Sequence, residues 1–254
     1  MGDELAGSPK DRFLTVYGRK PVLEALGDPD LRVDKVILAD TARGPAAAEI
    51  QRAAKAAGVP VQRASAHRVK VLAGNGKQDQ GVLADVVAPR MRALAAALDD
   101  RRPPARLLLL DGITTPANVG MILRTATAAG LAGVIVPRRG VAALDPMVVK
   151  SSAGVAFRAP MLRCGSAREA AEMLVEAGYS LFALGASAPT SVFDVGLPQR
   201  SAFVLGGETE GVGEAVAELV TEWVSIPMPG DVESLNVSAA AAVLSFELVR
   251  RGVS

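Results

Sequence analysis

The sequence predicts an α/β protein of two units, the larger a mostly parallel sheet covered by helices on both faces. Three observations predict it. Short unbroken apolar runs recur in the second half, as in Arg106–Leu110 and Ala202–Leu205, and such runs suit strands buried on both faces of a parallel sheet. Helical stretches lie between these runs, the alternation that βαβ units produce. Between the halves stands Asp99-Asp100-Arg101-Arg102-Pro103-Pro104, where charges followed by two prolines read as an exposed connector. A chain of 254 residues has room for two cores of modest size.

Residues 1–12 contain acidic residues and no apolar core, so they read as a mobile tail and not as a secretory signal. Residues 13–88 form the small α/β unit. Within it Lys35–Leu38 and Gly81–Val87 predict strands, and 46–57 predicts a helix stopped by Gly58 and Pro60. Residues 89–105 are the expected linker. From 106 to 254 strands are expected at Arg106–Leu110, Gly133–Val136, Ser180–Leu184, Ala202–Leu205 and Trp223–Ile226. Helices are expected at 118–129, 167–177 and 214–220. The last helix shows itself by a stripe of Val237, Ala240, Ala241, Leu244 and Leu248. Arg250 and Arg251 suit its negative dipole end, and Gly252 can close it.

Composition excludes several classes. Half of the residues are hydrophobic, too many for a disordered chain. The net charge of +1 is too small for a protein that holds nucleic acid by bulk charge alone. Most basic residues are Arg, however, and Arg suits forked phosphate contacts and base stacking. Cys164 is the single cysteine, which rules out an intrachain disulfide and a Cys-rich zinc site. No run reaches the ~18 apolar residues of a membrane span, so a cytoplasmic, soluble protein is expected. His67, the one histidine, reads as a solvated side chain, and Lys77 in Gly74-Asn75-Gly76-Lys77 lacks phosphate-loop spacing.

Three stretches use more Gly, Asn, Ser and Arg than packing needs. The first is Asn118-Val119-Gly120-Met121-Ile122-Leu123-Arg124. As structure, Asn118 caps a helix and Gly120 lets it pack closely. As chemistry, Arg124 lies one turn beyond Gly120, placed to hold a phosphate or an anionic oxygen. The second is Leu205-Gly206-Gly207-Glu208-Thr209-Glu210-Gly211. It is either a loop needing positive φ or a backbone path flat enough for a ligand to approach. A dinucleotide fingerprint fails nearby, because Val216 stands where its third glycine or alanine belongs. The third runs Ile226-Pro227-Met228-Pro229-Gly230-Asp231-Val232-Glu233-Ser234-Leu235-Asn236-Val237-Ser238. Two prolines stiffen it and remove two donors, and Ser234 and Asn236 sit where a helix opens.

In this order and spacing the three stretches resemble the motifs of the SpoU/TrmH family of RNA ribose methyltransferases. The resemblance covers Arg106 to Val249. It implies a trefoil-knotted α/β methyltransferase domain (the SPOUT type) that binds S-adenosylmethionine in a bent form and works as a homodimer. By motif match, Leu205, Gly206, Gly211, Ile226, Met228 and Leu235 would contact the cofactor. Asn118, Arg124, Glu208, Ser234 and Asn236 would surround the methyl group and the target ribose. Gly207 stands where a polar Ser, Asn or Ala is commoner in the family. Tyr17–Leu26 and Gln80–Ala84 resemble the start and end of the family's L30e-like RNA substrate-binding domain. Members with that extension resemble the enzyme that forms 2'-O-methylguanosine in 23S rRNA, and such domains also occur on relatives with other targets; a transfer-RNA methyltransferase and a non-catalytic RNA-binding relative are the alternatives. No metal enters this chemistry. An arginine gives up its proton reluctantly, at a cost of roughly 7 kcal/mol at pH 7, so Arg124 is expected to position and polarise the hydroxyl more than to act as a free base.

Overall fold

The computed structural model describes residues 12–73, 79–230 and 232–252. Apart from Arg12, the expected tail lies outside the described residues, and so does Lys77. The chain divides into two compact units. One takes in the chain up to Pro89 with Leu144–Pro146; the other takes in Arg90–Ala143 and the chain from Met147 onward.

The smaller unit runs β1 (Phe13–Tyr17), α1 (Arg19–Gly27), β2 (Val33–Ala39), α2 (Pro45–Ala56), β3 (Val61–Ala64), α3 (Ala66–Ala73) and β4 (Val82–Val87). Its sheet has the order β1-β4-β2-β3, with β1 and β2 antiparallel to β4 and β3 parallel to β2. Val82, Leu83, Ala84 and Val86 of the inner strand β4 are buried, hence the near-continuous apolar run there. Pro45 opens α2 in its first turn, where a missing N–H costs nothing. Gly58, at φ +67, ends it, with Val59 N–H donating to Ala54 O at 2.8 Å. His67 is exposed, as expected of a solvated histidine.

The larger unit runs β5 (Arg92–Ala93), α4 (Leu94–Leu98), β6 (Arg106–Leu110), α5 (Pro116–Ala128), β7 (Gly133–Pro137), α6 (Pro146–Ser151), a 3-10 turn (Val155–Arg158), β8 (Met161–Cys164), α7 (Ala167–Glu176), β9 (Ser180–Leu184), β10 (Thr190–Ser191), β11 (Ser201–Leu205), α8 (Glu214–Ala217), β12 (Glu222–Ser225) and α9 (Val237–Arg250). Its eight strands follow the order β10-β12-β9-β11-β6-β7-β8-β5, and every neighbouring pair is parallel. Leu107–Leu110, Val134–Val136 and Ala202–Leu205 are buried without alternation, as expected of strands covered on both faces. Ser166 caps α7 by accepting from Glu169 N–H at 3.2 Å, and Glu169 sits three residues on, as in a capping box.

The expected linker over 89–105 is corrected by the structure. β5 pairs with β8 at the sheet edge, Arg92 opposite Leu162. Leu94 and Ala97 of α4 are buried in one core with Leu107, Leu162 and Leu174. The physical reason is burial: a fully covered Leu contributes about 1.5–3 kcal/mol, so an Ala/Leu segment beside a sheet docks on it. The exposed connector shrinks to the stretch after α4, where Asp99, Arg101 and Arg102 face solvent. α8 is also shorter than expected, because Leu219 and Val220 donate to residues three positions back, tightening the chain out of α geometry. Among the described residues no helix is long and apolar enough to cross a membrane.

Candidate active site

At the carboxyl ends of β9, β11 and β12 the larger unit opens a cavity of about 360 Å³. In a parallel sheet this edge is where strands hand over to loops whose backbone groups are free to meet a ligand. Leu184, Gly185 and Ala186 line it after β9, and Leu205, Gly206, Gly207, Glu208 and Gly211 after β11. Ile226, Met228, Ser234, Leu235, Asn236, Val237 and Ala240 close it from the segment between β12 and α9 and from the first turn of α9.

The loop after β11 is a closed ring. Gly207 N–H donates to Gly211 O at 2.8 Å, and Gly211 N–H returns to Gly207 O at 3.0 Å. A Cβ on Gly206 would overlap the Gly211–Val212 peptide, and one on Gly207 would stand 2.5 Å from Gly112 O. Gly211 itself has φ +68, a conformation that side chains other than glycine's rarely adopt. The ring therefore exists only because three glycines make it. Gly207 has a direct cause as well: the Gly112 backbone passes against it, leaving no room for the polar residue commoner in the family.

At the edge of the cavity three side chains from distant parts of the chain bond to one another. Asn118 Nδ2 donates to Glu208 Oε1 at 2.6 Å, and Asn236 Nδ2 donates to the same oxygen at 2.9 Å. Asn236 Nδ2 also reaches Asn118 Oδ1 at 3.2 Å. Asn236 caps α9, its Oδ1 accepting from Ser238 N–H at 2.9 Å and from Ser238 Oγ at 2.6 Å. Glu208 is exposed, while Asn118 is buried. A carboxylate that accepts two amide donors is fixed in orientation, with its second oxygen left to face incoming groups.

Nine of the expected site residues line the cavity: Leu205, Gly206, Glu208, Gly211, Ile226, Met228, Ser234, Leu235 and Asn236. Asn118 joins them through Glu208 and Asn236. It does not cap α5 as the local pattern suggests, because the helix starts at Pro116 and Asn118 is already inside it. Arg124 stands apart. It is exposed and does not line the cavity, and at ~100° per residue it projects about 120° around α5 from Asn118. Gly120 serves close packing, since a Cβ there would overlap Ser151 Oγ and stand 2.5 Å from Val148 O. The sequence reading missed Leu184, Gly185, Ala186, Val237 and Ala240. A signal for the first two was present: β9 and β11 end alike in Leu-Gly, at Leu184-Gly185 and Leu205-Gly206. Among the described residues no group of His, Cys, Asp and Glu could hold a metal ion.

Fold and site together define an α/β protein with an open cavity at the carboxyl edge of a parallel sheet and a fixed carboxylate beside it. Comparison with known proteins makes that class specific. Residues 105–246 match the model of the SpoU rRNA methylase family, and residues 15–92 match the model described as RNA 2'-O ribose methyltransferase substrate binding. The chain belongs to the SpoU family. It is 33% identical over 239 residues to the protein named 23S rRNA (guanosine-2'-O-)-methyltransferase RlmB from Xanthomonas campestris, covering 93% of this chain and 96% of that one. It is 34% identical over 247 residues to an uncharacterized tRNA/rRNA methyltransferase of Mycobacterium ulcerans, covering 95% and 78%. The crystal structure of the SpoU methyltransferase AviRb from Streptomyces viridochromogenes, in complex with AdoMet, superposes with a TM-score of 0.60 at 26% identity, over 94% of this chain and 90% of that one.

Proposed function

We propose that this protein transfers a methyl group from S-adenosylmethionine to the 2'-hydroxyl of a ribose in RNA, with a guanosine of 23S rRNA as the target. The observation that carries the reading is the union of Asn118, Glu208 and Asn236 beside a cavity floored by glycine backbone. The residues present fit the cofactor. Gly206 and Gly211 give a flat peptide surface, and Ile226, Met228 and Leu235 supply apolar contact, as a heterocycle and a thioether chain require. When bound, S-adenosylmethionine supplies an electrophilic methyl group on a sulfonium.

The protein's own part is orientation and charge. Glu208, held by two amides, has its Oε2 oxygen available to accept a hydrogen bond from a ribose hydroxyl, fixing that hydroxyl's lone pair toward the cavity. Ser234 lines the same edge and can hold a neighbouring sugar or phosphate oxygen. Arg124 polarises the hydroxyl and stabilises the negative charge that grows on its oxygen as the proton passes to Glu208 Oε2. Because Arg124 lies away from the cavity of its own chain, a homodimer in which a second copy completes the site is part of the proposal. Exposed Met121 on α5 with Phe246 and Val249 on α9 offer the apolar surface for it. The knotted path belongs to the proposal too, supported by the return of the chain after β12 to place Asn236 against Asn118 of α5. The smaller unit would dock the RNA, and a ribosomal RNA substrate puts the work in the cytoplasm.

The test is direct. Arg124→Ala is expected to bind S-adenosylmethionine in calorimetry as the wild type does while losing RNA methylation. Full activity in that variant would remove Arg124 from the mechanism. Mapping 2'-O-methyl sites in ribosomal and transfer RNA from cells with and without the gene identifies the target; a site lost only from transfer RNA would overturn the 23S assignment.

A further inference from the structure

We propose that Asp111, which lines no part of the cavity, is a positioning residue that holds the cofactor loop in its binding shape. The inference rests on the methyltransferase reading above and adds a residue that the three motifs do not contain. Asp111 directly follows β6, and its main chain and side chain grip the two ends of one loop. Its N–H donates to Leu205 O at 2.9 Å, where the chain enters the glycine ring. Its Oδ2 accepts from Gly213 N–H at 2.8 Å, where the chain leaves it. The next residue, Gly112, lies under the ring, its backbone against Gly207. Between those two anchors Gly206, Gly207, Glu208 and Gly211 line the cavity, and Glu208 holds Asn118 and Asn236.

The electrostatics point the same way. Among the described residues the Asp111 carboxylate has no cation within ion-pair distance, and its hydrogen bond is to a main-chain amide. A carboxylate bonded to a backbone N–H makes one of the stronger single hydrogen bonds available to a loop. Gly213 is also the residue preceding α8, so the bond fixes where the loop stops and the helix begins. Without it the ring keeps its internal Gly207–Gly211 pairing but loses its anchor to the sheet at the exit side. Asp111 thus acts through the loop and touches neither cofactor nor ribose.

Asp111→Ala, Asp111→Asn and Gly213→Pro test this in the full-length protein. Gly213 has φ −62, an angle proline adopts, so the substitution keeps the backbone, removes the donor and, with its Cδ where the N–H pointed, pushes the Asp111 carboxylate off the loop. The expected result is a roughly tenfold or greater loss of S-adenosylmethionine affinity in Asp111→Ala and Gly213→Pro. Asp111→Asn, whose amide oxygen still accepts, should recover to within about threefold of wild type. The KM for S-adenosylmethionine should rise while the KM for RNA holds. Unchanged cofactor affinity in both Asp111→Ala and Gly213→Pro overturns the proposal, as does an Asn variant no better than the Ala variant. So does a rise in RNA KM with cofactor KM unchanged. If Asp111→Ala does not fold, unchanged cofactor affinity in Gly213→Pro, or an Asp111→Asn variant no better than Gly213→Pro, overturns the proposal. Wild-type protein that bound no S-adenosylmethionine would overturn the function itself, a failure distinct from an indifferent variant of a protein that binds.

Discussion

Asn118 shows how a residue can be legible in kind and misread in place. The motif resemblance makes it a candidate site residue, yet local pattern assigns it to a helix cap, because capping is what an Asn after a Thr-Thr-Pro turn does most often. Its actual partner, Glu208, is 90 positions away, and no local rule reaches that far. Removing that partner should be costly. Glu208→Ala leaves a buried amide without its acceptor, a penalty of about 1–3 kcal/mol, and strips the fixed carboxylate from the site. The melting temperature is expected to fall modestly and methylation by ~100-fold or more, measured by thermal unfolding and by tritium transfer to RNA. Cys164 makes a prediction of a different kind. Burial, with Glu169 adding to it, pushes its thiol up to about 12, well above an exposed thiol. The folded chain therefore keeps a proton there that the unfolded chain gives up, so this contribution to stability is whole below about pH 9 and lost as pH rises toward 12. Disulfide-exchange reagents at pH 8 should label Cys164 only after denaturant is added; rapid labelling of the native protein would contradict the burial.

Among the elements of the larger unit, the long ones announced themselves and the short ones did not. Strands such as β6 and β11 are buried throughout and apolar after their first residue, and α9 carries its stripe over several turns, so periodicity and composition agree. β5 and β10 are only two residues each, too short for any pattern, and they exist because a neighbouring strand offers an edge. β8 was hidden by Arg163 within its run, a charge whose guanidinium turns back onto Val136 O. Close contacts between elements yield two predictions. Gly120→Ala forces a methyl into Ser151 and the Val148 carbonyl, and α5 must shift from α6. Overpacking of this sort costs about 1–3 kcal/mol, to be read from urea unfolding. Gly206→Ala collides with the rigid Gly211–Val212 peptide. Calorimetry should show cofactor binding lost in a protein whose circular dichroism is unchanged.

For the whole molecule, alternation of strand and helix predicted a parallel sheet, but neither strand order nor the joining of three loops follows from periodicity. The strand order came from the structure and the joining of the loops from motif resemblance, and the hydrogen bonds among Asn118, Glu208 and Asn236 give the motifs their geometric sense. If the working unit is a pair, Phe246→Lys on α9 should yield a lighter species in sedimentation and lose methylation; an unchanged mass would place the dimer surface elsewhere. The bond between Asn118 and Asn236 joins residues 118 positions apart, and this has a consequence in time. At roughly 5–20 residues per second of synthesis, Asn118 waits several seconds or longer before its amide partner is made. A nascent chain can build its first strands in that interval, but the stretch from Ile226 to Ala240 that closes the cavity has not yet been made.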